Sequence, residues 1–351
     1  MRRLLIGLCI VAQVLVLGGM VFGRESVVQN GQRIYLRTAP IDPRDLFRGD
    51  YVRLRYRMND INNLSVKWSP SDFLPVRGEK VYAVLSSPTR DIYDVAYLTN
   101  KKPESGLFIR GRIDSRLLNN RFSINRFTLN SLKFGIEQLF VEQGAGVEIE
   151  NKQGLRGGLQ VPMEVEVALG RNGVAVVTGY RWSSLGIELS FPENENENEN
   201  ENEPGNREEQ DERQPQLERE PNTTLTIRVE NVSDSPLVLN NPGNDCGFMI
   251  EPRLIHSSKY KQALNDCNGQ LEPNYLSLES GEAYSLNVNP GDPRWYIQNE
   301  AGVPFDMRTL SDSEFFRIVY QSPENTETLE NEAIWIGELS SPAFNSRGRI
   351  D

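Results

Sequence analysis

Residues able to do chemistry are sparse in this chain of 351 residues, and their spacing limits what they can do. His256 is the only histidine. A Ser-His-Asp or Cys-His mechanism would have to pass through it, and no Gly-x-Ser-x-Gly turn accompanies it. No Gly-rich phosphate loop leads from a strand into a helix, and no histidine pair has metal-ligand spacing. A Ser-Lys dyad, or a carboxylate pair assembled from distant residues, stays open as an enzymatic reading. No catalytic residue, cofactor or metal site is assigned.

Cys246 and Cys267 are the two cysteines outside an N-terminal apolar run. With His256 they leave tetrahedral zinc one ligand short, so a disulfide is the expected chemistry. It would close a loop of about 20 residues and contribute about 3 kcal/mol in the chain-entropy picture. Cys9 lies within the apolar run; Leu8 before it is too large for a lipobox, so Cys9 reads as a lipid-facing residue.

The segment from Asp42 to Arg57 concentrates arginine, aspartate and tyrosine. Asp42 followed by Pro43 suits a helix N-cap and first position, and Gly49 suits a left-handed stop, which predicts one helical turn over 42–48. A strand then begins at Asp50. Period two sends Val52, Leu54 and Tyr56 one way and Tyr51, Arg53, Arg55 and Arg57 the other. Arg44, Arg48, Tyr51, Arg53, Arg55 and Arg57 are thus the candidate surface for an acidic ligand. The competing reading pairs Asp42, Asp45 and Asp50 with Arg44, Arg48 and Arg53 to fix a turn and a sheet edge. Arg48-Gly49-Asp50 also spells an adhesion tripeptide, but the turn accounts for it.

Gly49, Asp50, Tyr51, Leu54 and Tyr56 fill every named position of a motif, and the segment resembles the GDYXXLXY family of bacterial membrane-anchored proteins. The resemblance runs through Glu137 to Glu142 and Val161 to Tyr180, covering residues 1 to about 185. It implies a bacterial membrane anchor and supplies no catalytic residue.

The elements that must position these residues start with Leu4 to Phe22, an uncharged run behind Arg2 and Arg3. A helix of that length spans ~28 Å, close to the ~30 Å hydrocarbon core, so residues 4–22 are expected to cross a lipid bilayer once. The positive-inside rule puts the N-terminus in the cytoplasm and the bulk of the chain outside it. A cleaved secretory signal is the alternative; the run is long for one, and Gly19 to Arg24 makes a poor cleavage site.

The formal net charge is −11. Residues 193–221, opening on alternating Glu and Asn, hold 12 acidic residues against 3 arginines. That composition cannot offset the entropy of ordering, so a disordered tether between two domains is expected there. The preceding region carries a surplus of lysine and arginine spread along the sequence without a cluster, which suggests neither a nucleic-acid partner nor a polybasic membrane contact.

Both domains read as mainly β. In residues 24–192, Ile34 and Leu36, Val52 to Tyr56, Val81 to Leu85 and Met163 to Val167 repeat at period two, and no stretch after Phe22 keeps a helical period beyond about two turns. In residues 222–351, seven short strands are expected: Thr224–Glu230, Leu237–Leu239, Phe248–Leu254, Tyr275–Leu278, Ala283–Val288, Phe315–Tyr320 and Ile334–Glu338. Their Asn, Asp, Pro and Gly turns suggest an immunoglobulin-like β-sandwich. The expected organisation is therefore an anchor (1–23), an antiparallel β domain (24–192), an acidic linker (193–221) and a sandwich (222–351). Two functions fit: a membrane-anchored, non-catalytic binding or envelope-assembly protein with a multispanning membrane protein as candidate partner, or a membrane-anchored hydrolase of a peptide or envelope polymer.

Overall fold

A long uncharged segment in lipid must satisfy its own backbone groups, and a helix does so within one segment. In the computed structural model α1 spans Arg2–Asn30. Its apolar side chains are open, Leu15 at 69% and Phe22 at 77%, as a lipid-facing helix requires. The helix runs eight residues past Phe22. An i,i+4 hydrogen bond from Gln29 Nε2 to Glu25 Oε1 at 2.7 Å supports this extension. At Gly31 a Cβ would press on the Val27 carbonyl and lie 3.0 Å from Leu169 N, so only glycine fits where the helix meets the sheet.

The structure describes residues 2–39, 51–56, 67–69, 78–87, 91–113, 132–142, 145–154, 158–191, 224–243, 245–253, 260–262, 267, 271–299, 301–322, 333–348 and 350. The expected turn over 42–48, with Arg44, Arg48, Gly49 and Asp50, lies outside them, as do Arg57, His256 and the acidic segment 193–221. The chain divides into two units, Met1–Ser184 and Leu185–Asp351.

In the first unit the strands are β1 (Gln32–Ala39), β2 (Tyr51–Arg53), β3 (Arg55–Tyr56), β4 (Lys67–Ser69), β5 (Lys80–Ser86), β6 (Asp94–Thr99), β7 (Phe108–Ile113), β8 (Leu132–Lys133), β9 (Gln138–Phe140), β10 (Met163–Leu169) and β11 (Ala175–Trp182). One short helix, α2 (Ala145–Lys152), precedes β10 and buries Ile149. One sheet has the order β11-β10-β1-β3, another β4-β6-β5-β7-β8, and β2 pairs with β9. Among the described residues the strands of this unit pair antiparallel except β4 with β6, and an isolated parallel bridge joins Tyr35 to Ile92. Tyr35 N donates to Asp91 O at 3.1 Å and Tyr93 N to Tyr35 O at 2.9 Å, joining β1 to the segment before β6. The period-two residues named from the sequence meet in one core: Ile34, Leu36, Val52, Leu54, Tyr56, Val81, Ala83, Leu85, Met163, Val165 and Val167 are all buried.

The second unit holds β12 (Leu185–Ser190), β13 (Leu225–Asn231), β14 (Leu237–Asn240), β15 (Phe248–Pro252), β16 (Tyr260–Gln262), β17 (Tyr275–Leu278), β18 (Ala283–Val288), β19 (Ile297–Asn299), β20 (Pro304–Phe305), β21 (Phe315–Gln321), β22 (Glu338–Ser340) and β23 (Phe344–Asn345). These form antiparallel sheets β12-β13-β18, β14-β17, β16-β19-β20 and β15-β21-β22, with β23 also on β21. Their inward residues, among them Ile187, Ile227, Val229, Phe316, Ile318, Tyr320 and Phe344, make a second core.

Two expectations change here. The strand Leu185–Ser190, assigned from sequence to the first domain, pairs along its length with β13, from Leu185 opposite Asn231 to Ser190 opposite Thr226. Its alternating Leu185, Ile187 and Leu189 complete the second core, so the second unit begins at Leu185 and not at residue 222. The acidic segment 193–221 therefore joins two neighbouring strands of one sheet. The covalent link between the units is the stretch from Trp182 through Ser183 and Ser184. The expected strand Ile334–Glu338 is divided: Ile334 makes an isolated bridge to Val238, and only from Glu338 does the chain pair with β21. Trp335 N donates to Val238 O at 2.9 Å while Ser322 N donates to Gly337 O at 2.9 Å, so this short run ties two sheets together instead of lying in one.

Candidate functional site

The motif strand serves two partners in succession. In β2, Tyr51 lies opposite Phe140 and Arg53 opposite Gln138; in β3, Arg55 lies opposite Ala39 and Tyr56 opposite Thr38. Leu54 between them donates its N–H to Glu137 O at 2.9 Å. Val52, Leu54 and Tyr56 are 2%, 3% and 1% exposed, so the strand is pinned by its apolar face. The buried Tyr56 hydroxyl donates to Ile136 O at 2.5 Å. Burial, reinforced by the Glu137 charge, pushes that hydroxyl well above the usual tyrosine range. Glu137 itself accepts from the amides of Phe134 and Gly135. Leu54 and Tyr56 thus hold the fold together. Tyr51, Arg53 and Arg55 are placed by backbone register.

On β1, β10 and β11 the pairing builds a charge ladder that the sequence does not announce. Register sets Arg37 and Arg181 on either side of Glu164. Arg37 Nη2 lies 3.1 Å from Glu164 Oε1, and Arg181 Nε lies 2.7 Å from Glu164 Oε2. Arg181 reaches on to Asp91 at 2.7 Å and stacks 3.7 Å over the Tyr35 ring. Burial, which pulls the Arg181 guanidinium down, is outweighed by its bonds to Asp91 and Glu164, and its pKa is raised. Glu166 accepts from Arg33 at 2.9 Å and Thr178 Oγ1 at 2.9 Å. The Arg33 hydrogen bond holds its carboxyl below the usual range. Asp91, Glu164 and Glu166 are therefore fixed counter-ions.

A third feature faces outward on the other sheet. Alternation points Val81, Ile109 and Ile113 into the core and leaves Lys80, Arg110, Arg112 and Lys133 exposed. Arg112 lies opposite Lys80 on one side and Lys133 on the other, so three cations form a row across β5, β7 and β8. Arg110, two residues from Arg112, stands beside that row on the same face. Together with Gly78 and Gly135 these four line an open cleft of about 530 Å³. No carboxylate lines it among the described residues. Four cations that look dispersed along the sequence are here gathered onto one face.

Residues 13–179 match the family model described as GDYXXLXY protein. The first unit carries a GDYXXLXY region. The match stops short of β12, where the second unit begins. No curated protein matches the chain, and no solved structure does.

Within the GDYXXLXY region the sequence reading located the motif and missed both charged assemblies. Arg110-Gly111-Arg112 and Lys80-Val81-Tyr82 carry a signal, polar residues alternating with apolar ones. Which cations become neighbours depends on strand register, which the sequence leaves open.

In the second unit Cys246 and Cys267 form the expected disulfide, with Cα atoms 5.6 Å apart. Cys9 is free and exposed on α1. Beside the bridge, Asp245 takes φ 59° and accepts from Asn241 Nδ2 at 2.7 Å and from the Tyr284 hydroxyl. Burial and the Asp245 bond raise the Tyr284 pKa to about 12. Among the described residues no group of three or more His, Cys, Asp or Glu is placed to hold a metal ion.

Proposed function

We propose that this is a bacterial membrane-anchored protein that works by binding, without catalysis, on the extracytoplasmic side. The observation that carries this reading is α1: an apolar helix open along its length that continues, without a flexible joint, onto the β10–β11 end of the first unit. Gly31 N donates to Val27 O at 2.8 Å, so the helix passes directly into β1. Such a helix holds the unit at a fixed standoff from the bilayer, which suits recognition of something in or beside the membrane. Arg2 and Arg3 support a cytoplasmic N-terminus. The pairing of Asp91, Glu164 and Glu166 with arginines supports binding over acid–base hydrolysis. We read the second unit as an immunoglobulin-like sandwich that adds a further contact surface.

Cross-linking in intact membranes, followed by purification of the full chain, tests the proposal. A stoichiometric membrane partner that is lost on Arg53→Glu with Arg55→Glu is the expected result. Turnover of an envelope polymer by the purified chain, abolished by one serine or carboxylate substitution, would overturn it.

A further inference from the structure

Lys80 and Arg112, directly opposite on β5 and β7, are electrostatically costly as they stand. Like charges directly opposite on a sheet destabilise it. Lys80, Arg110 and Arg112 have no ion-pair partner among the described residues. Glu137 lies nearby in sequence to the lining residues Phe134 and Gly135, but its carboxylate is engaged by their amides. An anion seated in the cleft would relieve this repulsion.

The position of the cleft indicates which anion. Arg110 N donates to Gly173 O at 2.7 Å, and Gly173 belongs to the β10–β11 turn, closed by Gly173 N to Gly170 O at 2.8 Å. Gly170 in turn lies against Val27 of α1, whose Cγ2 is 3.0 Å from where a Gly170 Cβ would stand. The anchor, the turn and the first cation of the cleft are thus consecutive contacts. Val27 is five residues past Phe22, so it stands ~8 Å beyond the apolar run along the helix. A headgroup layer is ~5 to 7 Å thick on each side of the hydrocarbon core. Val27 therefore stands at the outer edge of the headgroup layer, and the turn packed on it holds the backbone of Arg110. Two guanidiniums can each present a planar fork of donors, which matches phosphate oxygens, and Lys80 adds a point charge.

We propose that the cleft lined by Lys80, Arg110 and Arg112 binds the phosphate of an anionic phospholipid headgroup from the membrane that holds the chain. This deepens the binding reading above and rests on it. Phosphate contact from the cleft would orient the first unit on the bilayer, a task that one helix with a single axis cannot perform alone.

The test uses the full-length chain in a nonionic detergent, titrated with dihexanoyl phosphatidylglycerol below its micelle concentration. Saturable binding is expected, with dihexanoyl phosphatidylcholine weaker by about tenfold or more for want of net charge. Arg110→Gln with Arg112→Gln should weaken phosphatidylglycerol binding by about tenfold or more, and Lys102→Gln, an exposed cation off the cleft, should leave it unchanged. If the double variant does not fold, Lys80→Gln serves in its place with a loss of about threefold. Equal binding of both lipids, or binding indifferent to the cleft variants, overturns the proposal. Inorganic phosphate binding as tightly as phosphatidylglycerol overturns the lipid source. A cross-linked protein partner lost on Arg53→Glu with Arg55→Glu would then leave the binding reading standing while this inference falls; loss of both would remove both.

Discussion

The Tyr56 hydroxyl donates to the Ile136 carbonyl across 80 residues of sequence, with the tyrosine 1% exposed. This single bond ties the motif strand to the segment that feeds β9. Tyr56→Phe removes the donor and leaves a buried carbonyl unsatisfied, which costs about 1 to 3 kcal/mol. Hydrogen exchange on the full chain should show faster exchange in β1, β3 and β9 and no change in the second unit. Unchanged protection in those strands would count against a structural role for this tyrosine.

Glu164 separates two arginines in a site where its side chain is 5% exposed and that of Arg37 is 9% exposed. Glu164→Ala leaves the Arg37 guanidinium buried without this counter-ion, and the loss should be about 3 kcal/mol or more. Arg33, 58% exposed, pairs with Glu166 at the edge of the same ladder. Arg33→Ala should cost under about 1 kcal/mol. Urea unfolding of the first unit, measured on both variants, checks the contrast; equal losses would mean the ladder is not graded by burial.

Tyr284 supplies a pH dependence with a defined sign. Its folded-state pKa is raised to about 12 from an ordinary 10.0, so the folded state holds this proton more tightly than the unfolded chain. The associated stability is fully present below pH 10 and is lost as pH rises from 10 towards 12. Thermal unfolding of the second unit should steepen its decline in that window, and Tyr284→Phe should remove that extra decline. A Phe variant with an identical alkaline profile would refute the linkage.

The Cys246–Cys267 bridge closes a span of 21 residues beside the strained Asp245. Alkylation of denatured, unreduced chain should label one cysteine, Cys9. Replacing both bridged cysteines with serine should lower the stability of the second unit by about 3 kcal/mol in the chain-entropy picture. Labelling of three thiols would reject the bridge.

What could be read from the chain alone followed from local periodicity. The uncharged run predicts a lipid-facing helix, since backbone groups in lipid have few other options. Alternation at Val52, Leu54 and Tyr56, and at Met163, Val165 and Val167, predicts strands with one buried face, because the pleat repeats every two residues. Cys246 and Cys267 could be paired because no other partner was available to either.

Partner choice was not legible, because the same alternation satisfies any strand that offers a complementary edge. Leu185, Ile187 and Leu189 fit a strand of either unit; pairing with β13 decides for the second, and turns an expected interdomain tether into a connection between neighbouring strands. Lys80, Arg112 and Lys133 lie far apart in the chain and look like ordinary solvated charges. Only the register of β5, β7 and β8 makes them a cluster, since neighbouring strands stand ~4.8 Å apart and a shift of one residue would send each charge to the opposite face.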